Sequence, residues 1–118
     1  LKAERGTVHD VHGIAHITGG GLSNLLRLHD SLGWHIDSPM PIPPEFVWLQ
    51  QNGNVTDLEM HRTFNMGMGM VLAVSKEAGE DILNFLRAKI SGAQIIGHVH
   101  DDGHKVTHVN SQVIFQHY

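Results

Sequence analysis

The sequence predicts an α+β domain in which helices pack on a mixed β-sheet. Stretches with strand-like and helix-like patterns interleave along the 118 residues, which favours a sheet covered by helices. Two predicted strands, 93–100 and 105–109, are separated by Asp101-Asp102-Gly103, and this turn chemistry indicates a hairpin. The length fits one domain, residues 1–118, with a hydrophobic core of its own.

The first half of the chain predicts two strands and two helices around a glycine loop. Apolar residues before Gly19 fit a strand, and leucines at helical spacing after Gly21 fit a helix that Gly33 ends. Prolines then lead into a second, short helix. The predicted elements are, in order, a strand at 11–18, a helix at 22–32, a short strand at 34–37 and a helix at 45–52.

The second half predicts two further helices and four strands. Thr56 and Glu59 form a capping-box pattern that begins a helix. A continuous apolar run then predicts a strand covered on both faces, and Ser75 caps a longer amphipathic helix that Gly92 ends. The predicted elements are, in order, a helix at 56–64, a strand at 68–74, a helix at 75–91 and strands at 93–100, 105–109 and 113–115.

The composition excludes several function classes. Eight basic and twelve acidic residues give a net charge of −4, which offers no electrostatic footprint for nucleic acid or for an acidic membrane surface. No apolar run approaches the length that spans a membrane. The absence of cysteine excludes disulfides and thiolate metal sites, and it fits a cytoplasmic enzyme. We therefore expect a cytoplasmic protein with no nucleic-acid partner and no membrane partner.

Eleven histidines raise the question of a metal site. They include two groups, His9, His12 and His16 in one, and His98, His100, His104 and His108 in the other. No cysteine supports a structural zinc site, and no His-Glu-x-x-His helix is present. We expect these histidines to lie on turns and solvated faces, and we predict no metal site.

The run from His16 to Gly21 contains the first candidate site. The Thr18 hydroxyl and the amides of Gly19, Gly20 and Gly21 could cradle a phosphate or an oxyanion. A flexible turn between a strand and a helix explains the same glycines. His16 could bind phosphate or act as a general acid or base, or it could be a buried strand histidine held by a backbone carbonyl. The residues alone leave these alternatives open.

Asn65 is the second candidate, at the junction between a predicted helix and a predicted strand. Its amide could bind an amide or a phosphate of a ligand. Alternatively, Asn65 ends the helix in the left-handed conformation, which asparagine tolerates. The sequence alone does not choose between these two roles.

These runs together resemble the C-terminal half of aminoimidazole ribonucleotide synthetases, the phosphoribosylformylglycinamidine cyclo-ligases of purine biosynthesis. The resemblance lies in Ala-His-Ile-Thr-Gly-Gly-Gly at 15–21, Phe-Val-Trp-Leu-Gln at 46–50, Met-His-Arg-Thr-Phe-Asn-Met-Gly-Met-Gly at 60–69 and Ile-Ile-Gly at 95–97. It covers most of the chain, in order and with the expected spacing, so the motifs are specific when taken jointly.

The resemblance implies a layered α/β/α fold with a mixed, largely antiparallel sheet. It also implies an ATP-dependent ligase that converts formylglycinamidine ribonucleotide and ATP to aminoimidazole ribonucleotide, ADP and phosphate. ATP and Mg²⁺ would be bound mainly by an N-terminal half, which also carries the main dimer contacts and which this sequence lacks. The expected partners are therefore the two substrates, the N-terminal domain of the same protein and a second copy of the full-length enzyme. The fragment alone is expected to be inactive.

The same resemblance assigns roles to the candidate residues. His16 would be catalytic, and Thr18, the three glycines and Asn65 would bind substrate or phosphate. The chain departs from many family members after the glycines, where Glu-Asn-Ile-Pro-Arg is replaced by residues that leave the roles of Asn24 and Arg27 open. Two alternatives to the cyclo-ligase are a related ATP-dependent enzyme, of the hydrogenase-maturation or selenophosphate-synthetase kind, and a stand-alone ligand-binding or regulatory module.

Overall fold

The computed structural model describes residues 10–118, so His9 of the first histidine group lies outside the described residues. The chain divides into two compact units. The smaller unit holds the described residues up to Ile14 together with Leu72–Ile95, and the larger holds Ala15–Val71 and Ile96–Tyr118.

The described elements begin with strand β1, which leads through the glycines into a 3₁₀ helix. They are, in order, β1 (Val11–His16), a 3₁₀ helix (Gly21–Arg27), β2 (Gly33–Ile36), α1 (Pro44–Gly53), α2 (Asp57–Thr63), β3 (Met70–Val74), a second 3₁₀ helix (Lys76–Ala78), α3 (Gly79–Arg87), β4 (Gly97–His100), β5 (Val106–His108) and β6 (Ile114–Phe115). These helices and strands confirm the α+β fold class.

The larger unit contains a four-stranded mixed sheet in the order β4-β2-β5-β6. Strand β2 runs antiparallel to β4 and parallel to β5, and β6 pairs with β5 in the antiparallel sense. The mixed, largely antiparallel sheet is therefore confirmed. The predicted edge strand near the C-terminus is confirmed as well, because β6 occupies one end of the sheet.

The predicted hairpin between 93–100 and 105–109 is wrong, because β2 lies between β4 and β5. Trp34 pairs with Val99 of β4 on one side and with Val106 of β5 on the other. Trp34 and Ile36 are buried, and the hydrophobic effect favours a central place in the sheet for such a strand. Strands β4 and β5 are close in sequence, with the turn at 101–103 between them, but a third strand can still pair between them in the sheet.

Leucines of the first 3₁₀ helix form the centre of the larger unit's core. Leu22, Leu25 and Leu26 are buried against the sheet residues Trp34 and Val106 in one hydrophobic cluster. The predicted leucine stripe is thus confirmed. These contacts place the segment after the glycine loop on the inside of the unit.

The type and length predicted for this helix, 22–32, are wrong. The segment is a 3₁₀ helix that ends at Arg27, because the Ser23 and Asn24 side chains bond to carbonyls three residues back. Such local bonds compete with the α-helical ladder. Gly33 does not end a helix, since it is the first residue of β2.

Helices α1 and α2 are confirmed. Helix α1 begins at Pro44 and is followed by Asn54 in the left-handed conformation, with φ of 55°. The predicted cap of α2 is present, because the Thr56 hydroxyl accepts a hydrogen bond from the Glu59 N–H at 3.2 Å. Stacking of Phe46 on Phe64, with ring centroids 5.1 Å apart, packs the start of α1 against the end of α2.

Two predictions for the following segments are wrong. Strand β3 is not covered on both faces, since Met70 is 63% exposed and the other residues are half-buried. Ser75 does not cap a helix with its side chain, because its hydroxyl donates to Asp10 Oδ1 at 2.7 Å. The predicted long helix is instead a 3₁₀ turn followed by α3, of which Ile82 is buried.

Candidate functional site

The three glycines form a turn between β1 and the first 3₁₀ helix. The N–H of Gly21 donates to the Thr18 carbonyl at 2.8 Å, and both Gly20 and Gly21 have positive φ, 96° and 55°. Glycine adopts this conformation without a steric penalty. A Cβ on Gly21 would overlap the backbone carbonyl of His61, so this glycine also permits close contact with the end of α2. We call residues 18–21 the glycine loop.

The carbonyl oxygens of the glycine loop are hydrogen-bonded within the protein. The Asn24 amide nitrogen donates to the carbonyl of Gly21 at 2.7 Å and lies 3.2 Å and 3.4 Å from those of Gly19 and Thr18. Ser23 donates to the Gly20 carbonyl twice, through its hydroxyl at 2.6 Å and its N–H at 3.2 Å. All four carbonyls therefore have a donor from the residues that follow the loop.

The N–H groups of Gly19 and Gly20, by contrast, have no acceptor among residues 10–118. Gly19 is exposed, and no atom lies within 4 Å of the position that a Cβ would occupy on it. A loop that retains free donors while its acceptor oxygens are occupied presents positive partial charge to solvent. This polarity suits an anionic ligand.

His16 lies two residues before the first loop residue, Thr18, and both residues are exposed. Within the described part of the chain, the His16 ring and the Thr18 hydroxyl make no hydrogen bond. The alternative of a buried histidine held by a backbone carbonyl is therefore wrong. Both side chains are free to contact a ligand at the loop, and their assigned roles stay predictions.

Asn65 begins a second turn, residues 65–68, which we call the Asn65 turn. Its side-chain oxygen accepts from the N–H of Gly67 at 2.9 Å, and its carbonyl accepts from the N–H of Met68 at 2.9 Å. Asn65 is not the residue with left-handed backbone, since the positive φ values are at Met66 and Gly67. The alternative that Asn65 ends the helix in the left-handed conformation is therefore wrong.

The residue before the glycine loop bonds to the residue after the Asn65 turn, since the N–H of Ile17 donates to the carbonyl of Gly69 at 2.9 Å. The structure thus brings the glycine loop and the Asn65 turn together along neighbouring backbone. The Asn65 side-chain nitrogen has no acceptor within residues 10–118. It remains available as a further donor.

Arg27 and Tyr118 border the loop on another side. The Arg27 guanidinium lies 4.7 Å above the Tyr118 ring and donates to its hydroxyl at 3.3 Å. The Tyr118 ring would lie 3.3 Å from a Cβ on Gly20. The resemblance leaves the role of Arg27 open, and this contact, which spans 91 residues of chain, has no signal in the local sequence.

A polar cluster supports α2, whose last residues contact Gly21. Asp57 accepts hydrogen bonds from Gln50 at 2.7 Å and from Asn110 at 3.0 Å, and these bonds lower the pKa of its carboxyl. The ring of His61 donates to the Asp57 carbonyl at 2.8 Å, so its nitrogen is occupied within the helix. We infer that this cluster holds α2 in place.

His108 is the buried histidine of this cluster. Its ring lies edge-on to that of His61, with centroids 5.0 Å apart. Nδ1 accepts from the N–H of Asn110 at 2.9 Å, whereas Nε2 is buried without a partner among the described residues. Burial lowers the pKa of His108 to about 4, with smaller lowering effects of His61 and His35 and an opposing effect of Asp57. His108 is therefore neutral at physiological pH. Its burial contradicts the expectation that these histidines lie on turns and solvated faces.

His35 and His98 lie opposite each other on paired strands of the four-stranded sheet. His35, His98 and Asp37 lie together, with His98 Nδ1 3.6 Å from an Asp37 oxygen. Across residues 10–118, no group of three or more His, Cys, Asp or Glu side chains is arranged to hold a metal ion. The same residues include no helix long and apolar enough to cross a membrane.

The role of Ser23 and Asn24 as internal donors to the loop was not predicted from the sequence. Both are almost fully buried, at 1% and 4% exposure. The available signal was two polar residues inside a stripe of leucines, directly after three glycines. Buried polar groups of this kind are nearly always hydrogen-bonded, and the nearest acceptors are the loop carbonyls.

The chain matches one protein-family model and several known proteins that carry the same name. The family model described as "AIR synthase related protein, C-terminal domain" matches residues 1–110. A Methanopyrus kandleri protein named phosphoribosylformylglycinamidine cyclo-ligase is 45% identical over 106 residues, which cover 83% of this chain and 30% of that protein. Proteins of the same name from Methanococcus vannielii and Burkholderia mallei are 45% and 52% identical, over 79% and 64% of this chain and 27% and 22% of their own length. The chain thus spans less than a third of the length of these relatives.

Proposed function

Because the chain belongs to the family of AIR synthase related proteins, as their C-terminal domain, we propose that residues 1–118 form one domain of a longer cyclo-ligase. Family membership confirms the resemblance seen in the sequence. We propose the reaction after which the relatives are named, the ATP-dependent ring closure of formylglycinamidine ribonucleotide to aminoimidazole ribonucleotide.

The observation that supports this function is the polarity of the glycine loop. Four carbonyl oxygens are occupied by donors of the protein, and the N–H groups of Gly19 and Gly20 are left without acceptors in the described chain. A phosphate of the ribonucleotide or of ATP is an anion that such donors bind. We propose that these two amides and the Thr18 hydroxyl bind that phosphate, with the Asn65 amide as a neighbouring donor.

The chemistry requires mainly positioning and stabilisation of charge. The amide oxygen of the substrate is phosphorylated by ATP and then leaves as phosphate when an internal nitrogen closes the ring. We propose that the loop holds the substrate in place through its phosphate, and that the exposed His16 ring moves a proton during ring closure. Both proposals concern side chains and amides that the described protein leaves free.

ATP supplies the phosphoryl group, and Mg²⁺ neutralises its phosphates. The donor set of the glycine loop fits a phosphate, but it does not fit a cation, because its carbonyl oxygens are already hydrogen-bonded. We therefore propose that Mg²⁺ and most of ATP are held by an N-terminal domain of the same polypeptide. A homodimer of that full-length enzyme, in the cytoplasm, is the proposed assembly.

The experiment is a ring-closure assay on the natural polypeptide that contains this chain. Aminoimidazole ribonucleotide and ADP are quantified by mass spectrometry after incubation with formylglycinamidine ribonucleotide, ATP and Mg²⁺. Absence of product with the wild-type protein would reject the cyclo-ligase in favour of a binding module. An immunoblot of the source cells against this chain, showing a band at its own mass only, would support the same conclusion.

The loop is tested with Gly20→Val, and Gly79→Val serves as a matched control. Gly20 has φ of 96°, and a side chain at this position would press against Ser23 and Tyr118, whereas no atom lies within 4 Å of a Cβ on Gly79. We expect Gly20→Val to raise KM for the ribonucleotide at least tenfold, since one charge-assisted hydrogen bond contributes about 1.5–3 kcal/mol. Equal kinetics of the two variants would reject the loop as the phosphate site.

A further inference from the structure

We propose that Asn24 is a positioning residue that determines which polar groups the glycine loop presents to the substrate. The inference rests on the proposed function for the identity of the ligand. It adds a residue that the resemblance left without a role. Asn24 does not touch the substrate in this proposal; it acts through the backbone of residues 18–21.

The geometry places the Asn24 amide inside the turn. The side chain is 4% exposed, and its nitrogen lies within 2.7–3.4 Å of the carbonyl oxygens of Gly21, Gly19 and Thr18. One NH₂ group therefore faces three acceptors that are close in sequence. The core fixes the backbone around Asn24, because the nearby Leu22 and Leu25 are fully buried.

The hydrogen bonds from Asn24 set the direction in which the peptide groups of the loop point. A carbonyl that accepts from a buried amide is held toward the interior, and the N–H groups of Gly19 and Gly20 remain without acceptors in the described protein. If the Asn24 donor is lost, the Gly19 carbonyl keeps no donor from residues 10–118 and pairs with water at the surface, whereas the Thr18 carbonyl keeps the Gly21 N–H. The loop then presents the Gly19 oxygen to an anion, whose charge repels it.

Ser23 also helps to hold the loop carbonyls, but to a smaller extent than Asn24. Its hydroxyl and its N–H both donate to the Gly20 carbonyl, so removal of the hydroxyl leaves that oxygen with one donor. Asn24, in contrast, is the side-chain donor to the three other carbonyls. The structure therefore predicts that substitutions of Asn24 weaken anion binding more than Ser23→Ala does.

The decisive variant is Asn24→Asp, which keeps the shape and removes the donor. An ionised carboxylate would face three carbonyl oxygens, whereas a protonated carboxyl can donate one hydrogen bond to them. We expect KM for formylglycinamidine ribonucleotide to rise at least tenfold at pH 8 relative to wild type, with kcat less affected. Burial beside three carbonyl oxygens raises the pKa of the introduced carboxyl, so the ratio to wild type should be smaller at pH 6, where protonation restores a donor.

Two controls separate positioning from general damage. Asn24→Ala should raise KM with a ratio to wild type that does not change between pH 8 and pH 6. Asn52→Asp makes the same chemical change at an exposed amide that bonds to the Trp48 carbonyl on α1, and it should leave KM unchanged. A pH-independent defect shared by Asn24→Asp and Asn24→Ala, or wild-type KM in both, would overturn the proposal.

Hydrogen exchange provides a readout that does not depend on the reaction. In the natural polypeptide, mass spectrometry of a peptide covering 18–23 should show faster exchange in Asn24→Asp and Asn24→Ala than in wild type or Asn52→Asp. Failure of ring closure in wild type together with this change would reject the cyclo-ligase but retain the role of Asn24 in the loop. Unchanged exchange in folded variants would overturn that role whatever the enzyme's activity, and unfolding midpoints show whether each variant is folded.

Discussion

Substitution of Gly21 by alanine tests the packing of the glycine loop against α2. Gly21 has φ of 55°, and a Cβ at this position would overlap the His61 carbonyl and lie 2.9 Å from the Arg62 carbonyl carbon. The atoms it would meet belong to the backbone, so no side-chain rotation can relieve the overlap. Either the loop or the end of α2 has to move.

The magnitude follows from two contributions to the free energy of unfolding. The left-handed conformation costs a residue with a Cβ about 1–2 kcal/mol. Overpacking that forces a backbone shift costs about 1–3 kcal/mol. We therefore expect Gly21→Ala to destabilise the protein by about 2–5 kcal/mol, if the two contributions add.

Urea unfolding, followed by the fluorescence of the buried Trp34, measures this loss. Gly19→Ala is the matched control, because no atom lies within 4 Å of a Cβ there and its φ is not in the left-handed range. That variant should change the free energy of unfolding by less than about 0.5 kcal/mol. If both variants unfold at the same urea concentration, the described contact between the loop and α2 is refuted.

Three further predictions concern pH, the Asn65 turn and the cap of α2. Because burial lowers the pKa of His108 from 6.5 to about 4, the neutral ring contributes its full stabilisation above pH 6.5, and the free energy of unfolding should fall by at most about 3 kcal/mol as the pH drops toward 4. Urea unfolding midpoints between pH 8 and pH 4 measure this fall. If the midpoint of His108→Gln changes with pH as steeply as that of wild type, the prediction is contradicted. Asn65→Asp keeps the oxygen that accepts from Gly67 but loses the amide donor, so it should retain the wild-type unfolding midpoint while KM for the ribonucleotide rises; Asn65→Ala should also lose about 1 kcal/mol of stability, and a stable Asn65→Ala would argue against the turn's hydrogen bond. Thr56→Ala should destabilise by about 1 kcal/mol in the same assay, while Thr56→Ser keeps the acceptor for Glu59 and most of the stability, and indistinguishable variants would rule out the cap.

The local patterns of this sequence determined the features that depend on neighbouring residues. The Thr56 cap, the leucine stripe and the two short helices were all predicted, because each depends on groups three or four residues apart. The glycine loop was located for the same reason, since three glycines permit backbone conformations that other residues avoid. The motifs also identified the family correctly.

The tertiary structure alone decided the pairing of strands and the environment of polar side chains. Strand β2 separates β4 from β5, and His108 is buried beside His61, although more than 40 residues of chain lie between the partners in each case. Asn24 became a donor to the glycine loop because the core fixes the leucines around it. Such contacts depend on the free energy of burying distant residues together, and no local sequence pattern contains that quantity.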